Sequence, residues 1–133
     1  MSRHELINPS DLPPPSGFSY AAKAADGRTL HLAGITGHHP DGSLDVDLVD
    51  QFRTACASVA HVITEAGGDP DDLVSMTIFT TDIDIYRART KELGVAYRSV
   101  FSTHYPPMAL FGIDELFDPA AHVELVCVAV VPD

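Results

Sequence analysis

Length, composition and charge restrict the function classes that this chain can belong to. The chain has 133 residues, 45% of them hydrophobic and 20% charged, which predicts one folded domain over residues 1–133. Its 19 Asp and Glu outnumber its 8 Lys and Arg, and the formal net charge is −11. Nucleic acid is therefore a poor partner, because binding a phosphate backbone needs clustered cations. Without an apolar signal region or a membrane-length apolar run, we expect a soluble, cytoplasmic protein with no membrane partner.

The first half of the chain is predicted to hold an irregular lead-in, two strands and a helix. Residues 8–17 contain four prolines, which exclude a helix there. Strands are expected at 18–24 and 29–35, because these runs flank Asp26-Gly27, a strong signal for a hairpin turn. From Asp47 to Ala66 apolar residues recur at helical spacing, and a glycine pair then ends the helix.

The second half is predicted to alternate strands with one more helix. A β-branched strand is expected at 73–81 and a helix from about 84 to 101. A strand at 108–113 and a valine-rich strand at 123–131 complete the chain. The order ββ-α-β-α-ββ predicts an α+β fold, in which two helices pack on one face of a mixed sheet.

Glu124 is the most informative residue, because it is the one charged side chain in the last strand. Alternation along the strand places it on the face of Val126, Val128 and Val130. A buried carboxylate without a partner costs several kcal/mol, so a purpose is expected. Two purposes are open, an acid-base group and an ion-pair anchor at a subunit contact. The alternative is that Glu124 lies at a frayed strand end and reaches solvent.

The predicted sheet has one face that the chain itself leaves uncovered. The last strand is apolar almost throughout, which is typical of a strand buried on both faces. Two helices cover only one face, so we expect the other to meet another copy of the chain in a cyclic homo-oligomer.

The motifs, in their order along the chain, resemble the Rid/YjgF family of reactive-intermediate deaminases, sometimes labelled endoribonuclease L-PSP. The resemblance covers nearly the whole chain and implies a chorismate-mutase-like homotrimer with clefts between neighbouring subunits. No cofactor or metal is implied. The motifs that carry it are Gly17-Phe-Ser-Tyr-Ala21, Leu32-Ala-Gly-Ile-Thr36, Gln51, Glu65-Ala-Gly67, Val74-Ser-Met-Thr-Ile-Phe79, Tyr97-Arg-Ser-Val-Phe101, Tyr105-Pro-Pro107 and Val123-Glu-Leu125.

The resemblance also implies a set of site residues. Glu124 matches the glutamate that lines the family's cleft and handles a water or the imine proton, so it is the expected catalytic residue. Tyr20 either faces the cleft or packs in the core. The positions expected to contact substrate are Phe18, Tyr20, Ala33, Gly34, Tyr97, Met108 and Leu110.

Several of these positions depart from the family pattern. Met108 stands where the deaminases have an arginine that grips the substrate carboxylate with two hydrogen bonds, a role that a thioether cannot fill. Ala33, Gly94 and Leu110 replace a serine, an asparagine and a cysteine. We therefore do not expect this chain to be a 2-imino-acid deaminase.

Two function classes remain after these substitutions. The first is a small-molecule hydrolase that acts on an imine, an enamine or a related neutral intermediate, with Glu124 and a cleft water. The second is a non-catalytic trimer that binds an apolar ligand or a protein. A ribonuclease is disfavoured, because an acidic chain repels RNA.

Three further residues are candidates for the missing positive charge or for a proton. His38 lies beside His39 in a turn, which is more often exposed than metal-binding. His104 precedes the cleft strand and either supplies a proton or acts as a helix cap. Arg98 follows Tyr97 and either replaces the arginine from a different direction or pairs with one of the acids at the surface.

Overall fold

The computed structural model describes residues 2–133, in which a layer of helices covers one face of a mixed β-sheet. This arrangement confirms the predicted α+β class. Within residues 2–133, no helix combines the length and the apolar composition that crossing a bilayer requires. The strands are β1 (Glu5–Ile7), β2 (Ala21–Lys23), β3 (Arg28–His31), β4 (Ile35–Thr36), β5 (Leu73–Thr80), β6 (Met108–Gly112) and β7 (Val123–Val131); the helices are α1 (Leu48–Glu65), α2 (Ile83–Ala88) and α3 (Thr90–Phe101), with a 3-10 turn at Pro70–Asp72.

The main sheet is organised around β7. It has five strands in the order β3-β7-β5-β6, and β4 pairs with the start of β7 on the same side as β3. Strands β3, β4 and β5 run antiparallel to β7, and β6 runs parallel to β5 at the edge of the sheet. The first half of the β7 strand therefore has paired neighbours on both sides.

The two faces of the sheet differ in what covers them. Alternate residues of β7 face the helices, and all of them are at most 6% exposed: Val123, Leu125, Cys127, Ala129 and Val131. Helices α1 and α3 supply the rest of this core, including Phe52 and Phe101. On the opposite face Val126 is 38% exposed and Phe111 is 52% exposed. A single copy of the chain thus leaves an apolar sheet face open.

The Gln51 side chain connects α1 by hydrogen bonds to the loops that contain Asp45 and Ala120. Its side chain is fully buried, and its Nε2 donates to the carbonyls of Asp45 at 2.7 Å and Ala120 at 3.0 Å. Its Oε1 accepts from the His122 amide at 2.7 Å. The Gln51 side-chain amide therefore fixes the segment that leads into β7. Gly37 permits this close packing, since a side-chain carbon at position 37 would lie 2.5 Å from the Gln51 carbonyl oxygen.

The hairpin predicted around Asp26-Gly27 is wrong. Strand β2 pairs with β1 in a separate two-stranded sheet, whereas β3 pairs with β7. Gly27 is required for a different reason than a tight turn, because a side chain there would collide with the Val131 carbonyl oxygen and with Arg3. Arg3 donates to the carbonyl of Asp26 at 2.7 Å and to that of Val130 at 3.0 Å. The glycine thus makes room for the N-terminal segment against the sheet.

The second predicted helix is two helices. The chain leaves helical geometry at Arg89, whose φ is −120° and ψ is 25°, and this residue ends α2 and precedes α3. The Arg89 side chain pairs with Asp47 at the start of α1 and with Glu92, where the Nη2–Oε2 distance is 2.6 Å. Apolar spacing continues across the break, which explains why periodicity alone predicted one helix.

Candidate functional site

The structure places the predicted site residues in two groups on opposite faces of the main sheet. Glu124 and Gly34 contact each other on the open face. Phe18, Tyr97 and Met108 line a cavity on the face that carries the helices. The sheet separates the two groups, so one copy of the chain cannot bring them to a single ligand.

Glu124 lies in the paired body of its strand. It is the register partner of Thr36 on one side and of Phe79 on the other, so it does not occupy a frayed end. The side chain is half-buried, and no residue within 2–133 forms a hydrogen bond or an ion pair with its carboxylate. An ion-pair anchor would therefore need a partner from outside the described chain. The carboxylate is free to act on a ligand.

Gly34 determines where the Glu124 carboxylate rests. A side-chain carbon at position 34 would lie 2.9 Å from both Cδ and Oε2 of Glu124. Glycine therefore allows the carboxylate to lie directly against the backbone between β3 and β4. Ala33 precedes it in the same exposed segment. Ala33 and Gly34 therefore form the open-face group with Glu124.

A chain of hydrogen bonds begins beside Glu124. Thr36 Oγ1 lies 2.6 Å from His38 Nδ1, and His38 Nε2 lies 2.8 Å from Asp118 Oδ2. The Ala120 amide and the His38 ring hold the pKa of the Asp118 carboxyl below its usual range. Asp118 is therefore ionised and accepts from His38. Both ring nitrogens are engaged, so His38 fixes the loop after β4 and does not replace the arginine.

The cavity lies between α3, α2, the start of β6 and the N-terminal segment, and its volume is about 780 Å³. Ser19 donates its amide to the Pro106 carbonyl at 3.3 Å, which holds the preceding Phe18 at the cavity. Tyr97 and Tyr105 stack with ring centroids 5.5 Å apart. The Tyr97 hydroxyl donates to the His104 carbonyl at 2.7 Å, so Tyr97 supplies a wall and not a free donor.

Three predicted residues do not contribute to either group. The Tyr20 hydroxyl donates to the Pro13 carbonyl at 2.7 Å, and its ring packs edge-on against Phe18, so it supports the N-terminal segment. Leu110 is 39% exposed on β6 and does not line the cavity. His104 is 6% exposed, and its Nε2 bonds to the Leu73 carbonyl at 2.7 Å, which occupies the ring in the core.

Sequence reasoning missed several cavity residues. Tyr86 and Thr90 lie on either side of the break between α2 and α3, and both line the cavity. The prediction of one continuous helix did not indicate that they would share this cavity. Phe52 and Leu93, which are buried in the core, also line the cavity. Burial raises the pKa of Tyr86 to about 12, so its hydroxyl stays protonated at neutral pH.

Of the two alternatives for Arg98, the pairing with an acid is wrong. The residue is exposed, as a surface position would be, but its guanidinium forms no ion pair within residues 2–133, and it lines the cavity. Its position beside Tyr97 follows from the helix alone.

Comparison with known proteins gives a consistent result. The sequence profile described as Endoribonuclease L-PSP matches residues 11–131. Among solved structures, a Rid-family protein of unknown function, YyfB from Yersinia pestis, is 27% identical, with a TM-score of 0.82 over 96% of this chain and 98% of that one. The protein YJGH is 25% identical, with a TM-score of 0.68 over 86% and 84% of the two chains.

A third structure agrees in fold. Rv2704 of Mycobacterium tuberculosis, a member of the YjgF family, is 24% identical, with a TM-score of 0.65 over 96% of this chain and 99% of that one. Among curated proteins, none matches this chain.

Proposed function

This chain belongs to the endoribonuclease L-PSP family, which is the Rid/YjgF family, and we propose that it is a hydrolase of neutral imines or enamines. The reaction takes place in a cleft between two copies of the chain within a homotrimer. One copy supplies Glu124 and Gly34, and its neighbour supplies the cavity lined by Phe18, Tyr97 and Met108.

The observation that carries the proposal is the separation of the two groups of residues. Within residues 2–133, Glu124 has no hydrogen-bond or ion-pair partner, and no other part of that range covers the apolar face on which it lies. The cavity opens at the β6 edge of the sheet on the other face, where Met108 begins that strand. When the open face of one copy packs beside the cavity of the next, the carboxylate gains a walled, partly desolvated environment and the exposed apolar surface is buried.

The chemistry asked of Glu124 is general acid-base catalysis. A water adds to the carbon of the C=N bond while the carboxylate removes one of its protons. The resulting carboxylic acid then protonates the nitrogen, which gives a neutral carbinolamine. The carboxylate next takes the hydroxyl proton and passes it to the nitrogen, so that the C–N bond breaks as the C=O bond forms, and a carbonyl compound and ammonia or an amine leave. An enamine first takes a proton on carbon and loses one from nitrogen, and then enters the same sequence as an imine. No redox step or cofactor is needed for this balance.

Met108 sets the expected limit on the substrate. A thioether cannot donate hydrogen bonds to a carboxylate, so a 2-imino acid loses the contact that would orient it next to the reacting carbon. A charge-assisted bidentate contact contributes roughly 2–3 kcal/mol, which corresponds to about a hundredfold in rate when it acts in the transition state. The reacting end of the favoured substrate is therefore neutral and apolar.

The alternative is a non-catalytic trimer that uses the same cavity to bind a ligand or a protein. The missing arginine is the observation that favours it. The family name Endoribonuclease L-PSP does not transfer in the same way, since a chain of net charge −11 opposes contact with a phosphate backbone.

The proposal is tested with imines generated in situ by an amine oxidase from apolar amines, following release of the carbonyl product. We expect wild-type protein to accelerate release and to be at least ~100-fold less active on 2-aminoacrylate supplied by a dehydratase. Glu124→Gln, which keeps size and removes the proton-transfer group, should lower turnover by ~10²-fold while assembly is retained. If the variant loses its assembly and the assembled fraction stays active, Glu124 is an interface anchor and the catalytic proposal fails.

A further inference from the structure

The cavity differs from the rest of this acidic chain in its charge. Among the described residues that line it, Arg98 is the one charged side chain, and no Asp or Glu is present. The chain as a whole carries 19 acids against 8 basic residues. Within one copy, a cavity lined by a cation and by no acid has the electrostatic character of an anion-binding site, and the neighbouring copy's Glu124 is assigned to the other end of the ligand, at the C=N bond.

Arg98 also lacks the partner that most arginines of this chain have. Arg3, Arg53, Arg87 and Arg89 each form an ion pair with an Asp or Glu. Within residues 2–133, the Arg98 guanidinium forms no hydrogen bond and no ion pair. Its five N–H donors are available to a ligand.

Gly94 makes room for this guanidinium. A side-chain carbon at position 94 would lie 3.1 Å from Nη1 of Arg98 and 3.7 Å from Cζ. Both residues line the cavity one helical turn apart. The glycine therefore allows Arg98 to fold back along α3 at the cavity rim, in a position that a larger residue would disturb.

The second cavity provides a contrast. It has a volume of about 510 Å³ and also contains an arginine, Arg28, but Asp133 lines it as well. The opposite charges offset each other there. The cavity at Arg98 has no such compensation.

The rest of the lining defines the shape of the ligand. Phe18, Tyr86, Tyr97 and Tyr105 supply aromatic surfaces, which favour flat apolar groups. Tyr86 lines the same cavity, and its hydroxyl forms no hydrogen bond within residues 2–133, so it can donate to a ligand there. A guanidinium with a hydroxyl donor suits a carboxylate, which accepts several hydrogen bonds in one plane.

We propose that this cavity binds small carboxylates that carry an aromatic or similarly flat apolar group, with Arg98 holding the carboxylate. The inference rests on the proposed function, because it names the substrate class of the same site. Arg98 lies on α3 and Met108 on β6, so the proposed carboxylate contact comes from a different element than the position of the family's arginine. The favoured substrate is an imine or enamine that is neutral at its C=N bond, as in the proposed function, and that carries its acidic group at the end of an apolar spacer.

Binding of 3-phenylpropanoate and its neutral amide, 3-phenylpropanamide, measured by calorimetry or NMR titration, tests the inference. We expect wild-type protein to bind the carboxylate at least tenfold more tightly than the amide, and Arg98→Gln to abolish this preference. Arg53→Gln is the matched control, because Arg53 is exposed on α1 and does not line the cavity. Equal affinity of the wild type for the two probes, undetectable binding of the carboxylate, or an Arg98→Gln variant with wild-type preference would overturn the inference.

The Glu124→Gln variant separates this inference from the proposed function. It should retain the preference for the carboxylate over the amide, because Glu124 does not line the cavity of its own copy and the neighbouring copy's Glu124 acts at the C=N end of the ligand, away from Arg98. Loss of imine hydrolysis in Glu124→Gln with no effect of Arg98→Gln on binding would sustain the proposed function and defeat the substrate class. The reverse pattern would sustain the anion site and defeat the hydrolase.

Discussion

At the scale of single residues, Glu124 and Gly34 form the contact on which the chemistry depends. A carboxylate on an apolar sheet face is costly unless it has a partner, and within residues 2–133 Glu124 has none. Gly34 lets the carboxylate rest against the backbone at the start of β4, where a side-chain carbon would lie 2.9 Å from it. The position of the acid is thus set by the absence of a side chain next to it.

The Gly34→Ala variant tests this contact. The added methyl would meet the flexible end of the Glu124 side chain, so the fold is expected to survive while the carboxylate moves. We predict a melting temperature within a few degrees of wild type and a loss of imine hydrolysis of ~10-fold or more. Gly112→Ala is the control, since its added carbon would make ordinary contact with Ile83 at 3.4 Å. Wild-type activity in Gly34→Ala would remove the positioning role.

At the scale of elements, the sequence predicts strands and helices that are strongly periodic and misses pairings that depend on distant segments. The valine-rich strand was predicted at 123–131, where β7 lies, and α1 was predicted within one residue at each end. The predicted hairpin does not form, because Asp26-Gly27 instead packs against Arg3 and Val131, two residues that are remote in sequence. Tyr86 and Thr90 of the cavity lining escaped prediction for the same reason, since the break between them lies at Arg89, which pairs with Asp47 across the fold.

The site residues also divide into those that lie in one of the two groups and those that do not. Of the residues that the resemblance implied, Glu124 and Gly34 contact each other, and Tyr97 and Met108 line the cavity. Tyr20 and Leu110, which the same resemblance implied, lie outside both groups. Family order locates backbone positions well, whereas the direction of an individual side chain depends on local packing.

The ion pair of Asp47 with Arg89 joins the start of α1 to the break between α2 and α3. Asp47 also caps α1 by accepting from the Asp50 amide at 3.3 Å. The hydrogen bond from Arg89 holds the pKa of the Asp47 carboxyl below its usual range. Because the folded pKa is lower than the unfolded value of about 4, the stabilisation is present above pH 4 and is lost as the pH falls through the folded pKa.

Asp47→Asn should therefore reduce the loss of melting temperature that occurs as the pH falls below about 4. Asparagine still caps a helix, so the variant loses the charge and keeps the cap. We expect a lower melting temperature than wild type at pH 7 and a difference that narrows as the pH approaches 3. Asp84→Asn, whose partner Arg87 lies within the same helix, should change the melting temperature less. Parallel curves for wild type and Asp47→Asn across this range would show that the ion pair does not stabilise the junction.

At the scale of the whole molecule, the sheet has a helix-covered face and an open apolar face. Val126 and Phe111 are exposed on the open face, and Glu124 lies on the same face without a partner among the described residues 2–133. The cavity with Arg98 lies on the other side. A site that needs both sides needs more than one copy of the chain, and the homotrimer proposed for this family member supplies it.

The mass of the protein in solution tests this central claim most directly. Light scattering coupled to size-exclusion chromatography at micromolar concentration should give about three times the chain mass of 14.3 kDa. Val126→Lys, which places a charge on the open face, should lower that mass while the helix-covered core stays intact, as judged by circular dichroism. A well-folded wild-type monomer of 14.3 kDa across this concentration range would contradict the shared site.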